Sequence, residues 1–263
     1  MTASLLRELL LRAAGQRMRQ SLRTFVQTSS IYDLRTARCE PGKSKVTVLA
    51  PHMDDEVLGC GGTLARHAAA GSDITVVFLT DGRLGGRPDQ SPQEIVSVRK
   101  AEAHRAAEIL GVRTLAFLDA EDGRLRSDRI VASGLREILE RDPPEILYLP
   151  SYLERHPDHR AANGVLLEAT RGNALNFECR AYEVWTPLFP NCLVGIDATV
   201  QLKEQALGCY RSQLAVVDYQ HSGLGLNAFR AMGLGSGGGR FAEAFHTQPL
   251  ADYRRLCEAV GLF

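Results

Sequence analysis

Between Pro51 and Val57 the chain packs one imidazole and three carboxylates into the run His52-Met53-Asp54-Asp55-Glu56. Much further along, "ERHPDHR" adds His156, Asp158 and His159. Two histidines and a carboxylate can hold a divalent cation and leave coordination positions for water and substrate. Imidazole and carboxylate together suit zinc or iron(II) better than magnesium. The two clusters carry more groups than a cation needs, and the surplus suits hydrolysis. A cation lowers the pKa of a bound water to about 7, but a base must still accept the proton. One of the adjacent aspartates, Asp54 or Asp55, can hold the cation while the other takes that proton. A further imidazole can donate to a developing oxyanion and then protonate a leaving amine. Spacing alone does not assign the two aspartates. Glu56 begins a helix, where an anion complements the dipole.

These groups need elements to carry them. "KVTVLA" (45–50) is β-branched and apolar, which predicts a buried strand ending just before His52. "EVLGCGGTLARHAAAG" has helical spacing and stops at Gly71. "DITVVFLT", "TLAFL" and "EILYLP" are further strands, and the second cluster follows the last of them. "SPQEIVSVRKAEAHRAAEILG" is a helix with Ser91 as N-cap, Pro92 in the first turn, Glu94 three residues after the cap and Gly111 beyond the last turn. Strands alternate with helices from Lys45 to Gly172, so the fold class is α/β: a Rossmann-like, mostly parallel sheet with helices on both faces. In such sheets ligands bind at the carboxyl ends of strands, where both clusters fall. After Arg180 the pattern changes. "AYEVWTPL" and "CLVGID" read as strands, "TVQLKEQALGCYRSQL" as a helix and "GLGSGGGR" as a flexible loop. A C-terminal extension on one domain is the simplest organisation, with 1–263 as a single unit. The glycines of "GCGGT" lack the spacing of a phosphate cradle, and close helix–strand packing explains them better. The aromatic, proline-rich "YEVWTPLFPN" could line a sugar site through stacking, though a lone tryptophan, here Trp185, is more often buried than not.

The formal net charge is zero, so nothing draws the chain toward nucleic acid. Six scattered cysteines form no CxxC pair, and no signal-peptide pattern opens the sequence. Reduced thiols in a cytoplasm are the expectation. No apolar run reaches the roughly 20 residues of a membrane span. "SLLRELLLRAAGQRMRQSLRTF" predicts a basic amphipathic helix over about 3–26. It would pack on its own domain, or else contact a partner or an anionic membrane surface, so peripheral membrane association stays open. The oligomeric state is unreadable.

The two clusters together resemble the LmbE/PIG-L metal-dependent N-deacetylases. The first hallmark stands here as "PHMDDEVLGCGGT", with Met53 where proline is usual. The second, His-Pro-Asp-His, is intact at 156–159. "LTDG", Arg99 and Glu102, "DGRL" at Asp122, "KEQALGCYRSQ" and "AEAF" are weaker echoes. The resemblance implies that His52, Asp55 and His159 bind Zn2+, or another divalent transition metal such as Fe2+. It implies Asp54 as general base, and His156 as acid or oxyanion donor oriented by Asp158. Arg99 and Asp122 match positions that contact the sugar. The implied activity is removal of an N-acetyl group from an N-acetylated amino sugar or glycoconjugate. Arg83 stands where an acid is common. Two other readings fit the residues: a non-haem iron(II) oxygenase with a two-histidine, one-carboxylate triad, and a silent metal-stabilised sugar-binding protein. The first leaves Asp55, His156 and Asp158 without a role.

Overall fold

The computed structural model describes residues 36–86, 90–125 and 129–261. The basic helix expected over 3–26 lies outside these residues. Within them, eight strands form one sheet: β1 (Ala37–Arg38), β2 (Lys45–Ala50), β3 (Asp73–Thr80), β4 (Thr114–Ala120), β5 (Ile146–Pro150), β6 (Glu178–Tyr182), β7 (Cys192–Gly195) and β8 (Ala242–Pro249). Their order is β1-β7-β8-β6-β5-β2-β3-β4. Only β8 runs against its neighbours, antiparallel to β6 and to β7. The helices are α1 (Asp55–Ala69), α2 (Pro92–Leu110), α3 (Arg129–Arg141), α4 (Pro157–Ala169), α5 (Val200–Leu207), α6 (Arg211–Leu214), α7 (Tyr219–Ala231) and α8 (Leu250–Ala259). None of them is long and apolar enough to cross a membrane.

The central strands β2, β3 and β5 are largely apolar because both their faces are covered. Val46, Val48 and Ala50 of β2 face one core with Val57 and Leu64 of α1, Leu110 of α2 and Leu207 of α5. Leu49 faces the other, with Leu135 of α3, Val165 of α4 and Tyr253 of α8. The two-residue period of the strand assigns these sides.

From β2 the chain adds β3 and β4 on one side, then returns to place β5 on the other. The order therefore reverses between β2 and β5. This is the crevice in which open α/β sheets bind ligands. His52 follows β2 and His156 follows β5, so both clusters open onto it.

Helix signals in the sequence have physical counterparts. Ser91 and Glu94 form a reciprocal capping box, and Gly111 ends α2 with φ 75°. The "GCGGT" glycines admit close neighbours: a Cβ on Gly59 would lie 2.2 Å from the Tyr182 ring, and one on Gly62 would lie 2.8 Å from Ile196. The helix also breaks its regular φ/ψ at Cys60. Past the break the N–H groups of Gly62 and Thr63 donate to Glu243 at 2.9 and 2.7 Å, and Glu243 in turn pairs with fully buried Lys203 at 2.7 Å. An anion and a cation thus fill the defect in the helix.

Three expectations change. "AYEVWTPL" is a strand only as far as Tyr182, and the rest is a loop that accepts no sheet partner. The helix after Thr199 divides into α5 and α6. Cys39 and Cys192, on the adjoining β1 and β7 edge, are joined as a disulfide, whereas Cys60, Cys179, Cys209 and Cys257 are free. Proximity across a strand pair brings the first two together, which spacing in the sequence does not reveal. The "GLGSGGGR" segment ends on Asp197, whose carboxylate accepts from the Arg240 and Phe241 N–H groups.

Candidate active site

His52 leaves β2 at the crevice, nearly buried. Its N–H donates to Asp55 Oδ2 at 2.9 Å, and its Nδ1 lies 3.2 Å from the same oxygen. Its Nε2 meets Asp122 Oδ1 at 3.0 Å and Asp158 Oδ2 at 3.2 Å. Asp54 holds φ 143° as the N-cap of α1, a backbone region that residues with a Cβ rarely adopt. The turn is pinned by Glu56 Oε2, which accepts the Asp54 N–H at 3.1 Å, and by Arg99, which donates to Met53 O at 2.7 Å. Strain of this kind persists where surrounding contacts over-determine it. Glu56 is buried and accepts from the Tyr210 hydroxyl. Its carboxylate supports the strained turn, a more specific task than complementing a dipole.

His159 projects from the first turn of α4. It is fully buried, and neither ring nitrogen makes a hydrogen bond. Nε2 lies 3.2 Å from Asp55 Oδ2, and Nδ1 lies 3.6 Å from Glu154 Oε2. One oxygen of Asp55 therefore stands equally far from a nitrogen of each histidine. Donors about 2.0–2.1 Å from a tetrahedral zinc lie roughly 3.3 Å apart, so these two separations match edges of such a polyhedron. His156 caps α4, its Nδ1 accepting the Asp158 N–H at 3.3 Å. Its ring centroid is 4.9 Å from those of both His52 and His159.

Donor atoms of His52, His156 and His159 gather within 4.8 Å of one another, as do those of His52, Asp122 and Asp158. A buried imidazole that faces carboxylates without making a well-formed hydrogen bond costs desolvation that a cation would offset. Four carboxylates, from Asp54, Asp55, Asp122 and Asp158, surround the imidazoles, and a cation would also balance their charge. The donor set fits a divalent transition metal.

The electrostatics separate the two neighbouring aspartates. Burial pushes the Asp54 carboxyl up to about 7, against the pull of Arg99, whose Nη2 is 3.5 Å away. Burial also opposes ionisation of Asp55, but the His159 and His52 imidazoles overcome it and hold that carboxyl well below its usual range. His159 rises to about 9 because Asp55 outweighs its burial. His156 is lowered by burial and by its two imidazole neighbours. Burial raises Glu56 to about 8.

Most of the residues singled out in the sequence line one cavity of about 200 Å³, with Asp158 and His159 buried behind its wall against His52 and Asp55. Its lining includes His52, Asp54, Asp55, Arg99, Asp122 and His156. The side chain of Asp158 departs from the expected partner: it accepts from the Gly123 and Leu125 N–H groups at 2.8 and 3.0 Å and faces His52, while only its backbone touches His156. The first turn of α4 turns the carboxylate inward, away from its capping histidine. Asp122 likewise contacts His52 as well as lining the cavity. Arg99 and Glu102 do not pair; Glu102 takes the Ser212 N–H and hydroxyl instead. Arg83 turns to Asp81, its Nε at 2.7 Å.

Sequence reasoning missed Glu154, Gln213 and Tyr219, and favoured burial of Trp185 over its lining a sugar site. Trp185 is 51% exposed and lines the cavity with Tyr219, their rings 6.0 Å apart edge to face. Glu154 is buried and accepts the N–H groups of Val184 and Thr186 at 2.8 and 3.2 Å, fastening the tryptophan loop beside His159. Its position at the head of "ERHPDHR" was the available signal.

The fold and this site together define a class: α/β proteins with a candidate metal centre at the switch point of the sheet. The chain belongs to the PIG-L (LmbE) family of metal-dependent N-deacetylases, whose description, GlcNAc-PI de-N-acetylase, matches residues 47–170. It is 31% identical over 186 residues to the diacetylchitobiose deacetylase of Thermococcus kodakarensis, spanning 64% of this chain and 70% of that protein. The structure of N,N'-diacetylchitobiose deacetylase from Pyrococcus horikoshii superposes with a TM-score of 0.70 at 25% identity, covering 96% of this chain and 95% of the other. A 4-oxalmesaconate hydratase of Pseudomonas putida is 32% identical over 136 residues, 49% of this chain and 52% of that one.

Proposed function

We propose that the chain is a zinc-dependent hydrolase that removes the N-acetyl group of an amino sugar or its conjugate, releasing a free amine and acetate. The observation that carries this reading is the Asp55 oxygen that stands 3.2 Å from a nitrogen of each of His52 and His159, the latter buried with neither ring nitrogen in hydrogen-bond geometry.

His52, through Nδ1, with Asp55 and His159 would hold the cation. When bound, it supplies a Lewis acid that polarises the amide carbonyl and lowers the pKa of a water. Asp122 and Asp158 accept from the far nitrogen of His52, fixing its ring and raising its donor strength. Asp54, its carboxyl near neutrality and its backbone pinned by Glu56 and Arg99, takes the proton of the attacking water. His156 keeps Nδ1 on the α4 backbone, which leaves its Nε2–H to donate a hydrogen bond to the oxyanion, while the proton that Asp54 took from the water passes to the leaving nitrogen. Arg99, Asp122, Gln213 and the Gly85 and Gly123 backbone line the same cavity and suit the hydroxyls of a sugar.

The test is amine release from N-acetylglucosamine and its glycosides, with zinc and with chelator. Release that chelator abolishes and zinc restores is the expected result. No release from any amide, with turnover of an unsaturated carboxylic acid instead, would assign the chain to the hydratase relative's chemistry. The basic segment over 3–26 is proposed to touch an anionic surface. Co-sedimentation with phosphatidylserine vesicles, lost on deletion of residues 1–35, is its check, and equal partitioning of both proteins would end that idea.

A further inference from the structure

A second cavity adjoins the first. Its volume is about 240 Å³, and Leu58, Trp185 and Tyr219 line both. The groups suited to hydroxyls, Arg99, Asp122 and Gln213, line only the first. The second is lined by Val184, Val217, Leu226 and Ala244, by Gly223 of α7, and by Ser222 and Glu183, the last paired with Arg230. One polar group stands out in its wall: Asn227 is 5% exposed, and its Oδ1 has no hydrogen-bond partner. Rotating the amide by half a turn exchanges its ends, so this edge can meet a donor or an acceptor.

An amide substrate divides into three parts. The carbonyl carbon must reach the candidate metal centre, and the hydroxylated ring takes the polar lining of the first cavity. The remaining part, on the far side of the carbonyl carbon, is the acyl group. We infer that the second cavity receives the acyl chain of an N-acyl amino sugar, a chain longer than acetyl whose hydroxyl or other polar group pairs with Asn227. The inference rests on the hydrolase reading above. It rests equally on Leu58, Trp185 and Tyr219, which line both cavities, and on the orphaned amide in the second.

Trp185 is the chain's single tryptophan, so its fluorescence reports occupancy without turnover. The full chain carrying Asp54→Asn, supplied with zinc, is titrated with N-acetyl-, N-butyryl-, N-hexanoyl- and N-(hydroxyhexanoyl)glucosamine, and with the phenyl glycoside of N-acetylglucosamine. Binding should tighten about tenfold or more from acetyl to hexanoyl, since each buried methylene adds to affinity. Gly223→Leu should erase that gain, because a side chain there points at Leu58, 3.5 Å from its Cβ position. Asn227→Leu should erase only the advantage of the hydroxylated chain, and it stands as a separate check if Gly223→Leu fails to fold. Equal binding of all acyl lengths, a gain that survives Gly223→Leu, or a gain that follows the phenyl glycoside and not the acyl chain would overturn the inference. Amine release by the unmodified enzyme from N-acetylglucosamine and the longer N-acyl members is measured alongside. Absence of release from N-acetylglucosamine and from every longer N-acyl member alike would fault the hydrolase reading, whereas the fluorescence series judges the cavity by itself.

Discussion

Asp54 and Asp55 are adjacent in sequence and opposite in electrostatic character. Burial lifts one carboxyl to about 7, while two imidazoles hold the other ionised. A base poised near the working pH accepts a proton and returns it readily, whereas a ligand must stay charged. The types of both residues were legible in the sequence and the family resemblance implied their roles, while the fold shows Asp55 facing His52 and His159. Glu154 stood at the head of "ERHPDHR", but its role was not legible, because it lies in a contact with His159 five residues on and a loop thirty residues on. Its charge should steady the imidazole as a donor. Glu154→Gln keeps an oxygen for the loop N–H groups but removes the charge, so zinc affinity should fall by about 10–100-fold with the fold intact. Competition against a chromophoric chelator measures it, and an unchanged affinity would show that Glu154 serves the loop alone.

At the scale of elements, what the sequence displayed well were local signals. Buried strands showed as unbroken apolar runs, and α2 showed both its caps, because each is decided by neighbours within a few residues. β8 was not legible. "AEAFHTQP" has neither a long apolar run nor clean alternation, and it becomes a strand by fitting antiparallel between β6 and β7. The exposed Trp185 was hidden for the same reason, since α7 arrives from far along the chain to place Tyr219 against it. His67, near the end of α1, gives an element-scale prediction. It is fully buried, donating from Nδ1 to Gly42 O at 2.9 Å and accepting at Nε2 from the Tyr148 hydroxyl at 3.0 Å. Burial lowers its pKa to about 4. The folded state then binds the proton less readily than the unfolded chain, so stability is lost as pH falls from about 6.5 toward 4. The full shift is worth about 3 kcal/mol. Denaturant titrations should show His67→Gln with a shallower decline than the unmodified chain across that range. Parallel pH profiles would contradict the assignment.

Across the whole molecule, the candidate site joins segments that follow β2 and β5, the strands on either side of the reversal in sheet order. A sequence shows strand succession but not which strand lies beside which, so the reversal was not legible, although its consequence was: both clusters sit at carboxyl ends. A cation bound there clamps α1 to α4 across the crevice. Free zinc at a hundred times its dissociation constant should stabilise the fold by about 2.7 kcal/mol, raising the melting temperature by roughly 5–10 °C. A melting temperature indifferent to zinc and chelator would mean that no ion bridges the two segments.

The account rests on His52, Asp55 and His159 sharing one cation while Asp54 stays free to act as base. The most direct measurement is zinc stoichiometry and affinity, by calorimetric titration of the unmodified chain, Asp54→Asn and His159→Ala. One ion per chain should bind to the first two with affinities within about tenfold of each other, and His159→Ala should lose at least about a hundredfold. Tight binding that survives His159→Ala, or that disappears with Asp54→Asn, would contradict the assignment.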